Sequence, residues 1–489
     1  MKLITKILLI FITVVLFNGV NLSHAFELNA TSSVDQPTVV FIDDNFNTST
    51  PGWGYDHFNN IQEGIDNVTN YGTVNIYLGN YIPFKIQNRS NIVIKSIDIG
   101  APVVFGNQIA LDELTIPPIN IKCVIFINNS INIEINKLNI SGNGLDGRSY
   151  AIFYNGSSGK INNCEVSPNQ RGNMNSLGIR AQWNSVLSVE NSTIQNYGRI
   201  GIYCRTGTVL NAYKNKIIGQ IYTPSDGDYV SYGIEVEDLI SASIATIRCN
   251  DIYNHDYVGN PTWSSAGILI DSWRYYEVTP YKCSAIIEYN NIYGNMLGLH
   301  IVPNENIQVN LNKIYNNSDF GAATMPYWDG TKYVYENLDA TSNWWGSETG
   351  PFNPNTNPNG TGNEITDYVT FNPWVENYLP TIKIINPEPG FLYFNFKDWF
   401  EFKFPFIMTL LIGKNDIEVN VAKGIYEIEK VEFVIDESLK STDYTTPYTW
   451  IWNELTAFLG YNLKVVVYDT NGFQTSDVIK VWKFQFLVT

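Results

Sequence analysis

The chain has 489 residues, of which 44% are hydrophobic and 16% charged, and its formal net charge is −17. The apolar content excludes general disorder, because the chain has enough apolar surface to form a large core. The acidic balance argues against nucleic acid as a partner, since phosphate backbones would be repelled. This length predicts two or more domains or one long array of repeats.

The first 25 residues resemble a secretory signal peptide. Two lysines precede the apolar run Ile7–Phe17, and Ser23–Ala25 resembles a small-x-small cleavage site. An uncleaved N-terminal anchor is the alternative, because Leu3–Val20 is almost long enough to cross a bilayer. We therefore expect a protein that is secreted or held at the cell surface, with residues 26–37 as a leader segment.

The sequons and the cysteines agree with export. Ten Asn-x-Ser/Thr sequons, from Asn29 to Asn359, fit an exported glycoprotein. The five cysteines are scattered without the spacing of a metal site, and we expect them to be small buried residues. The mature chain has three histidines, widely separated, so the sequence predicts no metal centre of clustered soft ligands.

A helix followed by a strand is predicted near the start of the mature chain. The segment Asn60–Val68 has apolar spacings of four and three, which predicts a short amphipathic helix. The segment Gly72–Tyr81 then alternates as a first strand. A helix of this kind suits the end of a stacked array, because an uncovered end coil exposes unpaired backbone groups.

A repeated unit of glycine followed by alternating apolar residues dominates the middle of the chain. The copies begin at Gly178, Gly201, Gly233, Gly267 and Gly298, with a weaker copy at Gly321 and spacings of 23 to 34 residues. A coil of this length cannot bury its apolar face alone, so successive coils must stack about 4.8 Å apart. The pattern predicts an all-β fold over residues 38–379, a right-handed parallel β-helix with loops between its coils.

Aligning these units places distant side chains above one another. If the first and third residues after each glycine point inward, the second and fourth point outward. The second-residue column contains Arg180, Tyr203, Glu235, Leu269 and His300. The fourth-residue column contains Gln182, Arg205, Glu237, Asp271 and Val302.

These columns define the candidate site. Stacking would bring Glu237 and Asp271 about 5 Å apart, a separation suited to a retaining glycosidase, with Arg205 as a third candidate catalytic residue. A lyase with Arg205 or Lys214 as the base, and with Ca²⁺ held by the acids, is a second possibility. The candidate ligand-binding residues are Arg180, Tyr203, Glu235, His300, Trp263, Trp273 and Tyr275. In the purely structural interpretation the columns are hydrated outward residues, and Arg205 pairs with Glu237.

Residues 380–489 follow a different plan. Asparagine becomes rare there, and a cluster of prolines, including Pro380 and Pro387, precedes segments that alternate as strands, such as Ile428–Asp436. We expect a small antiparallel β-sandwich, which would serve as a spacer or bind a partner in the cell envelope.

Motifs at both ends of the repeats carry a resemblance to a known family. The first motif is Asp43–Ile65, with Ser49–Gly54 inside it, and the second is Asn343–Trp374. They resemble the entry and exit segments of secreted β-helix proteins of the pectin-lyase-like superfamily. The resemblance is to its branch of periplasmic copper-binding, carbohydrate-binding and sugar-hydrolase modules. Segments such as Val431–Asp436 and Thr446–Trp450 resemble bacterial-type immunoglobulin-like domains. The superfamily contains enzymes, adhesins and inert stalks, so the resemblance leaves activity open.

Together these features predict an exported monomer that displays or binds a polysaccharide or cell-surface glycan without cleaving it. The competing hypothesis is a polysaccharide lyase or glycoside hydrolase acting at Arg205, Glu237 and Asp271. No cofactor is required by either hypothesis, although the second one admits Ca²⁺.

Overall fold

The computed structural model describes residues 36–104, 109–111, 121–142, 148–169, 172, 174–227, 229–259, 263–272, 278–396 and 400–485. The predicted signal peptide, residues 26–35 of the predicted leader, and the candidate residues Trp273 and Tyr275 lie outside these ranges. Within the described ranges, no helix has both the length and the hydropathy needed to span a membrane.

The predicted helix covers the first coil. Helix α1 spans Ile61–Asn67, and its N-cap residue Asn60 accepts a hydrogen bond at 2.9 Å from the amide of Glu63. Its apolar face, including Ile61 and Ile65, is buried in the main core. The helix thus supplies at this end the apolar contacts that a neighbouring coil provides elsewhere.

Three long parallel sheets form the body of the protein, and their strands are numbered here in chain order. The first sheet contains, in spatial order, β2 (His57–Phe58), β1 (Val39–Ile42), β3 (Thr73–Ile76), β6 (Ser90–Ser96), β10 (Ile131–Asn136), β13 (Ser158–Asn162), β16 (Val186–Glu190), β19 (Val209–Tyr213), β23 (Ile244–Arg248), β27 (Ser284–Glu288), β30 (Ile307–Asn310), β35 (Leu338–Asp339) and β36 (Val369–Thr370).

The second sheet contains β4 (Asn80–Tyr81), β7 (Val103–Val104), β11 (Asn139–Ser141), β14 (Glu165–Ser167), β17 (Thr193–Ile194), β20 (Lys216–Ile218), β24 (Asp251–Tyr253), β28 (Asn291–Tyr293) and β31 (Lys313–Tyr315). The third contains β5 (Phe84–Gln87), β9 (Ile121–Asn128), β12 (Arg148–Asn155), β15 (Ser176–Gln182), β18 (Ile200–Cys204), β22 (Tyr232–Glu237), β26 (Ala266–Asp271), β29 (Leu297–Ile301) and β32 (Phe320–Thr324), with β8 (Ile109–Leu111) antiparallel to β9. Two short pairs stand apart: β21 (Ile221–Tyr222) with β25 (Asp256–Tyr257), and β33 (Tyr327–Trp328) with β34 (Tyr333–Val334).

Each coil passes through the first, second and third sheets in turn, and the next coil pairs with it in parallel. The prediction of a parallel β-helix is therefore confirmed by the strand register. The repeated glycines have a steric cause. A Cβ added to Gly201 would lie 2.6 Å from the carbonyl oxygen of Gly233, and one added to Gly233 would lie 2.4 Å from that of Gly267. A side chain at either of these two positions would clash with the backbone of the next coil.

Buried asparagines join consecutive coils on the turn between the first and second sheets. The side-chain amide of Asn250 donates to Oδ1 of Asn290, and Asn290 donates in the same way to Asn312, at 3.0 and 2.9 Å. The ladder begins at Asn215 and ends at Asn343. These bonds satisfy amide groups that would otherwise be buried without partners.

The region after residue 380 forms two further sheets around its own core. A three-stranded antiparallel sheet contains β37 (Thr381–Asn386), β41 (Asn415–Ala422) and β44 (Thr449–Trp452). A seven-stranded sheet contains, in spatial order, β39 (Phe400–Pro405), β38 (Phe391–Phe396), β40 (Leu410–Gly413), β46 (Gln474–Gln485), β45 (Thr456–Asp469), β42 (Ile428–Ile435) and β43 (Ser438–Asp443). The predicted β-domain is present, although β40 pairs in parallel with both β38 and β46.

Aromatic rings connect this domain to the β-helix. Tyr426 stacks on Tyr289 of the β-helix, with ring centroids 5.2 Å apart. Tyr378 lies between Trp344 and Phe473, at centroid distances of 4.7 and 6.5 Å. Trp345, the neighbour of Trp344, is fully buried in the β-helix core. The tryptophan pair therefore packs within the protein.

Candidate functional site

The third sheet stacks the predicted columns. Arg180, Tyr203, Glu235, Leu269 and His300 occupy one register on consecutive strands from β15 to β29. In the other column, Glu237 pairs directly with Asp271, and Gln182 and Arg205 follow the paired residues Ala181 and Cys204. The intervening side chains, such as Ile234 and Val236, are fully buried in the main core.

The columns lie on the outer face of the sheet, but several of their members are buried, which the structural interpretation did not expect. Tyr203, Glu235 and Glu237 are only 8%, 4% and 7% exposed. A second apolar cluster covers this face. It contains Cys123, Phe126, Tyr150, Phe153, Leu177, Ile200, Tyr203, Val230, Tyr232, Ala266, Leu269, Leu297 and Ala323. Without this cluster the outward side chains would be exposed to water. With it, they are largely shielded from water.

A cleft of about 160 Å³ opens within this covered face. Its walls contain Tyr150, Met174, Asn175, Leu177, Arg180, Arg199, Ile200, Tyr203, Arg205 and Glu235. This volume is smaller than the roughly 300–1,000 Å³ of typical ligand pockets, so the cleft suits one small polar group. Three guanidinium groups around so small a space make it attractive to an anion.

Arg180 is fixed in position by its neighbours. Its Nη1 donates to the hydroxyl of Tyr150 at 2.6 Å, and its Nε and Nη2 donate to Oε1 of Gln182 at 3.0 and 2.7 Å. The guanidinium carbon also lies 5.0 and 5.3 Å from the ring centroids of Tyr150 and Tyr203. A cation held in this way loses little side-chain entropy when it binds an anion.

Arg205 and Glu237 form the ion pair that the structural interpretation anticipated. Nε of Arg205 lies 3.2 Å from Oε2 of Glu237, and the hydroxyl of Tyr203 donates to the same oxygen. The guanidinium carbon of Arg205 lies 5.7 Å from the Tyr203 ring centroid. Glu237 therefore neutralises Arg205 and satisfies a buried hydroxyl, which are structural roles.

Glu235 and Arg199 carry buried polar atoms without partners. Oε2 of Glu235 and Nε of Arg199 have no hydrogen-bond partner in the part of the chain that the structure describes. Burial raises the pKa of Glu235 to about 8; Arg199 lowers it and Glu237 raises it, both to a smaller extent. Glu235 is therefore mostly uncharged at neutral pH, and it is the acidic residue among those that line the cleft.

Asp271 lies on the coil beyond Glu237, as predicted, but away from the cleft. Burial, and then the charge of Glu237, raise the pKa of Asp271 to about 6. Its Oδ1 accepts a hydrogen bond from the amide of Ser272 at 2.8 Å. Among the described residues lining the cleft, neither Glu237 nor Asp271 occurs. The proposed acid pair is adjacent, but the cleft opens onto Glu235 instead.

The remaining candidates are dispersed. His300 lies two coils beyond Glu235, and burial lowers its pKa to about 4. Trp263 is 62% exposed on the segment before β26. Lys214 follows β19 of the first sheet, on a different side of the coil from Arg205. Lys214 is therefore remote from the cleft, and its assignment as a lyase base is not supported.

Sequence reasoning missed Tyr150 and Arg199. Tyr150 belongs to a coil that has Ala151 in place of the repeated glycine, so it lacks the glycine that marks the other coils. Arg199 lies two residues before Gly201, outside the columns that were aligned. Extending the alignment to alanine and to the preceding residues would have found both. Among the described residues, no group of three His, Cys, Asp or Glu is placed to hold a metal ion.

Comparisons with known proteins find only weak similarities. No protein-family model matches the chain, and no curated protein matches it. Among solved structures, pectate lyase Pel9A is 11% identical over 70% of this chain and 80% of its own, with a TM-score of 0.37. A pectin methylesterase in complex with a hexasaccharide is also 11% identical, over 68% of this chain and 92% of its own, with a TM-score of 0.33.

The fibronectin(III)-like modules of Clostridium thermocellum CbhA are 18% identical, with a TM-score of 0.17. The match covers 24% of this chain and about half, 51%, of the length of the CbhA structure. Similarities this weak carry no information about activity. The β-helix itself is established by the strand register described above.

Proposed function

We propose that this protein is an exported β-helix that binds an acidic glycan in the cleft of the third sheet without cleaving it. The observation that carries the proposal is the placement of Arg180, Arg199 and Arg205 around one small cleft. Guanidinium groups bind carboxylate or sulfate oxygens through paired, charge-assisted hydrogen bonds. The cleft would then hold one charged substituent, while the rest of the glycan lies on the surface.

Aromatic groups in the cleft wall and on the segment before β26 support a sugar ligand. Tyr150 and Tyr203 form part of its wall, and the exposed ring of Trp263 offers a flat apolar face. Amphipathic rings suit ligands that combine apolar faces with hydroxyl groups. Display at the cell surface fits the acidic composition and the signal-like N-terminus.

Binding without cleavage is favoured by the state of the candidate catalytic groups. Glu237 is engaged by Arg205 and by Tyr203. Arginine side chains serve as hydrogen-bond donors and have no acceptor atom, so Arg205 is unsuited to act as a general base. A nucleophile or base also has to reach the substrate, and the cleft opens onto Glu235.

Binding to an array of acidic and neutral glycans tests the proposal. Wild-type protein should bind acidic glycans more weakly as salt increases, and Arg180→Ala should weaken this binding by tenfold or more, about 1.4 kcal/mol. Arg248→Ala is the matched control, because Arg248 pairs with Glu288 on the first sheet, outside the cleft. Equal binding by wild type and Arg180→Ala, or preference for neutral glycans, would contradict the proposal.

Glycan cleavage is the second candidate, favoured by the direct pairing of Glu237 with Asp271 and by the raised pKa of Asp271. Two carboxyl groups held side by side can have different pKa values, so that one acts as an acid and the other as a base. Incubation with a panel of polysaccharides should then release new chain ends, and the double variant Glu237→Gln/Asp271→Asn should abolish the release. If wild-type protein cleaves no member of the panel, this candidate is eliminated.

The proposal includes the cellular context. The C-terminal domain would bind a partner in the cell envelope, and the protein would act as a monomer. Fractionation of producing cells should place the protein outside the cytoplasm, and light scattering should give the mass of one chain. A cytoplasmic protein or a stable dimer would contradict these expectations.

A further inference from the structure

Glu235 occupies an unusual position in the cleft wall. Its side chain is 4% exposed, and Oε2 has no hydrogen-bond partner among the described residues. Buried polar atoms are almost always paired, so an unpaired carboxyl oxygen on a residue that lines a cleft is suited to a partner that enters the cleft. The group lines the same cleft as Arg180, Arg199 and Arg205.

The charged groups around Glu235 come from every neighbouring element. Arg199, directly before β18, and Arg205, directly after β18, contribute positive charge. Glu237 on the same strand and Asp271 on β26 contribute negative charge. Tyr203, the register partner on β18, has its hydroxyl engaged with Glu237. The charge of Glu235 is thus influenced by two guanidinium groups and two carboxyl groups, and a third guanidinium, that of Arg180, lines the same cleft.

Its charge state follows from this environment. Burial, assisted by Glu237 and Asp271 and opposed by the two arginines, raises the pKa of Glu235 to about 8. Below that pH the group is a neutral acid, which has an O–H donor as well as an acceptor. Above it the group is a carboxylate, which only accepts.

We propose that Glu235 is a proton-dependent hydrogen-bond donor of the cleft: its neutral carboxyl donates to the anionic group of the glycan, and its ionisation expels that group. The inference rests on the proposed binding of an acidic glycan at this site. When the proton leaves to water, the carboxylate repels the ligand anion. It also competes with the ligand for Arg199 and Arg205, so two effects act in the same direction.

Calorimetric titration with glucuronate, from about pH 6 to about pH 10, tests this inference. Glucuronate is a single sugar with one carboxylate, which stays ionised over this range, and glucose is the uncharged comparison. Wild-type affinity should fall by up to about tenfold per pH unit above about pH 8. Glu235→Gln, whose amide still donates, should bind with an affinity that does not change over this range.

The matched control is Glu288→Gln, because Glu288 lies on the first sheet and pairs with Arg248. It should keep the wild-type pH dependence. An affinity of wild-type protein that is constant with pH, or a fall that persists in Glu235→Gln, would overturn the inference.

Failure of the proposed function is separable from failure of this inference. If neither protein binds glucuronate at any pH, the acidic-glycan proposal is refuted. Infrared spectroscopy then still reports the charge of Glu235. The carbonyl band of a protonated carboxyl group should be present in wild type at pH 7 and missing in Glu235→Gln. Absence of that band in the wild-type spectrum would overturn the neutral-donor assignment itself.

Discussion

Nε of Arg205 lies 3.2 Å from Oε2 of Glu237, on the next coil of the third sheet. The two side chains are only 20% and 9% exposed, so the pair is shielded from water. Removing one partner of a shielded ion pair leaves an uncompensated charge, whereas replacing both removes the problem. Residues beside the cleft therefore contribute to the stability of the sheet.

The ion pair predicts a non-additive pattern in a double-mutant cycle. Arg205→Met and Glu237→Leu should each lower the free energy of unfolding by about 3 kcal/mol, because each removes one charge of a shielded ion pair. The double variant should lose less than the sum of the two. Urea denaturation measures all three values. Additive losses, or single losses below about 0.5 kcal/mol, would show that the pair is unimportant.

Glu235 predicts a pH dependence of stability. Its pKa is raised in the folded protein from an ordinary 4.5 to about 8, so the folded state binds a proton that the unfolded state has lost. Stability should therefore be full below about pH 4.5 and fall towards pH 8, by at most about 1.4 kcal/mol per pH unit. Urea denaturation at each pH gives the free energies of unfolding of wild type and Glu235→Gln. The difference between them separates the contribution of Glu235 from that of Asp271.

In that comparison, Glu235→Gln should gain stability relative to wild type as the pH rises from about 5 to about 8. A constant difference between the two proteins over this range would mean that Glu235 titrates at its ordinary pKa.

His255 predicts loss of stability in acid. The imidazole Nδ1 lies 2.8 Å from Oδ1 of Asn295 and therefore donates, while Nε2 accepts from the hydroxyl of Tyr197 at 2.5 Å. Burial lowers the pKa of His255 from 6.5 to about 4, despite the opposing bond to Asn295. The unfolded state thus binds the extra proton, and stability should fall between about pH 6.5 and about pH 4 by up to 1.4 kcal/mol per unit.

The test is His255→Asn, which continues the row of Asn295 and Asn317 without a titrating group. Denaturation of this variant should show a weaker dependence on pH in the same window. An unchanged dependence would assign the acid sensitivity to other residues.

The asparagine ladder predicts that alanine substitutions at two adjacent asparagines lower stability by very different amounts. Asn290 is 1% exposed. Its side-chain amide donates to Oδ1 of Asn312 at 2.9 Å and to the carbonyl oxygen of Ile247 at 2.8 Å. Its Oδ1 accepts a hydrogen bond from the side chain of Asn250. Asn290→Ala should cost about 2–4 kcal/mol, because its ladder partners lose their buried bonds. Asn291→Ala, which removes an exposed bond to Asp251, should cost less than about 1 kcal/mol. Similar losses in thermal or urea denaturation would contradict the structural role of the ladder.

The sequence predicted the stacking because a steric rule imposes it. Only glycine fits at positions such as Gly201 and Gly233, where the next coil passes within van der Waals contact. The alternating apolar residues that follow each glycine then fix which side chains face outward. The register of Arg180 with Tyr203, and of Glu237 with Asp271, follows directly.

The cover over this face could not be predicted in the same way. Tyr150, Leu177 and Ile200 form an apolar layer outside the coil, and alternation alone would assign such positions to solvent. The low exposure of Glu235 depends on this layer, and so does its raised pKa. The sequence therefore indicated the carboxylates but not their charge states, which depend on packing among residues far apart in the chain.

A crystal structure of the protein with an acidic oligosaccharide tests the central claim most directly. The account predicts an anionic group of the sugar within hydrogen-bond distance of the guanidinium groups of Arg180 and Arg199, with the carboxyl of Glu235 as a further contact. An oligosaccharide bound on another face, with the cleft holding only water, would contradict it.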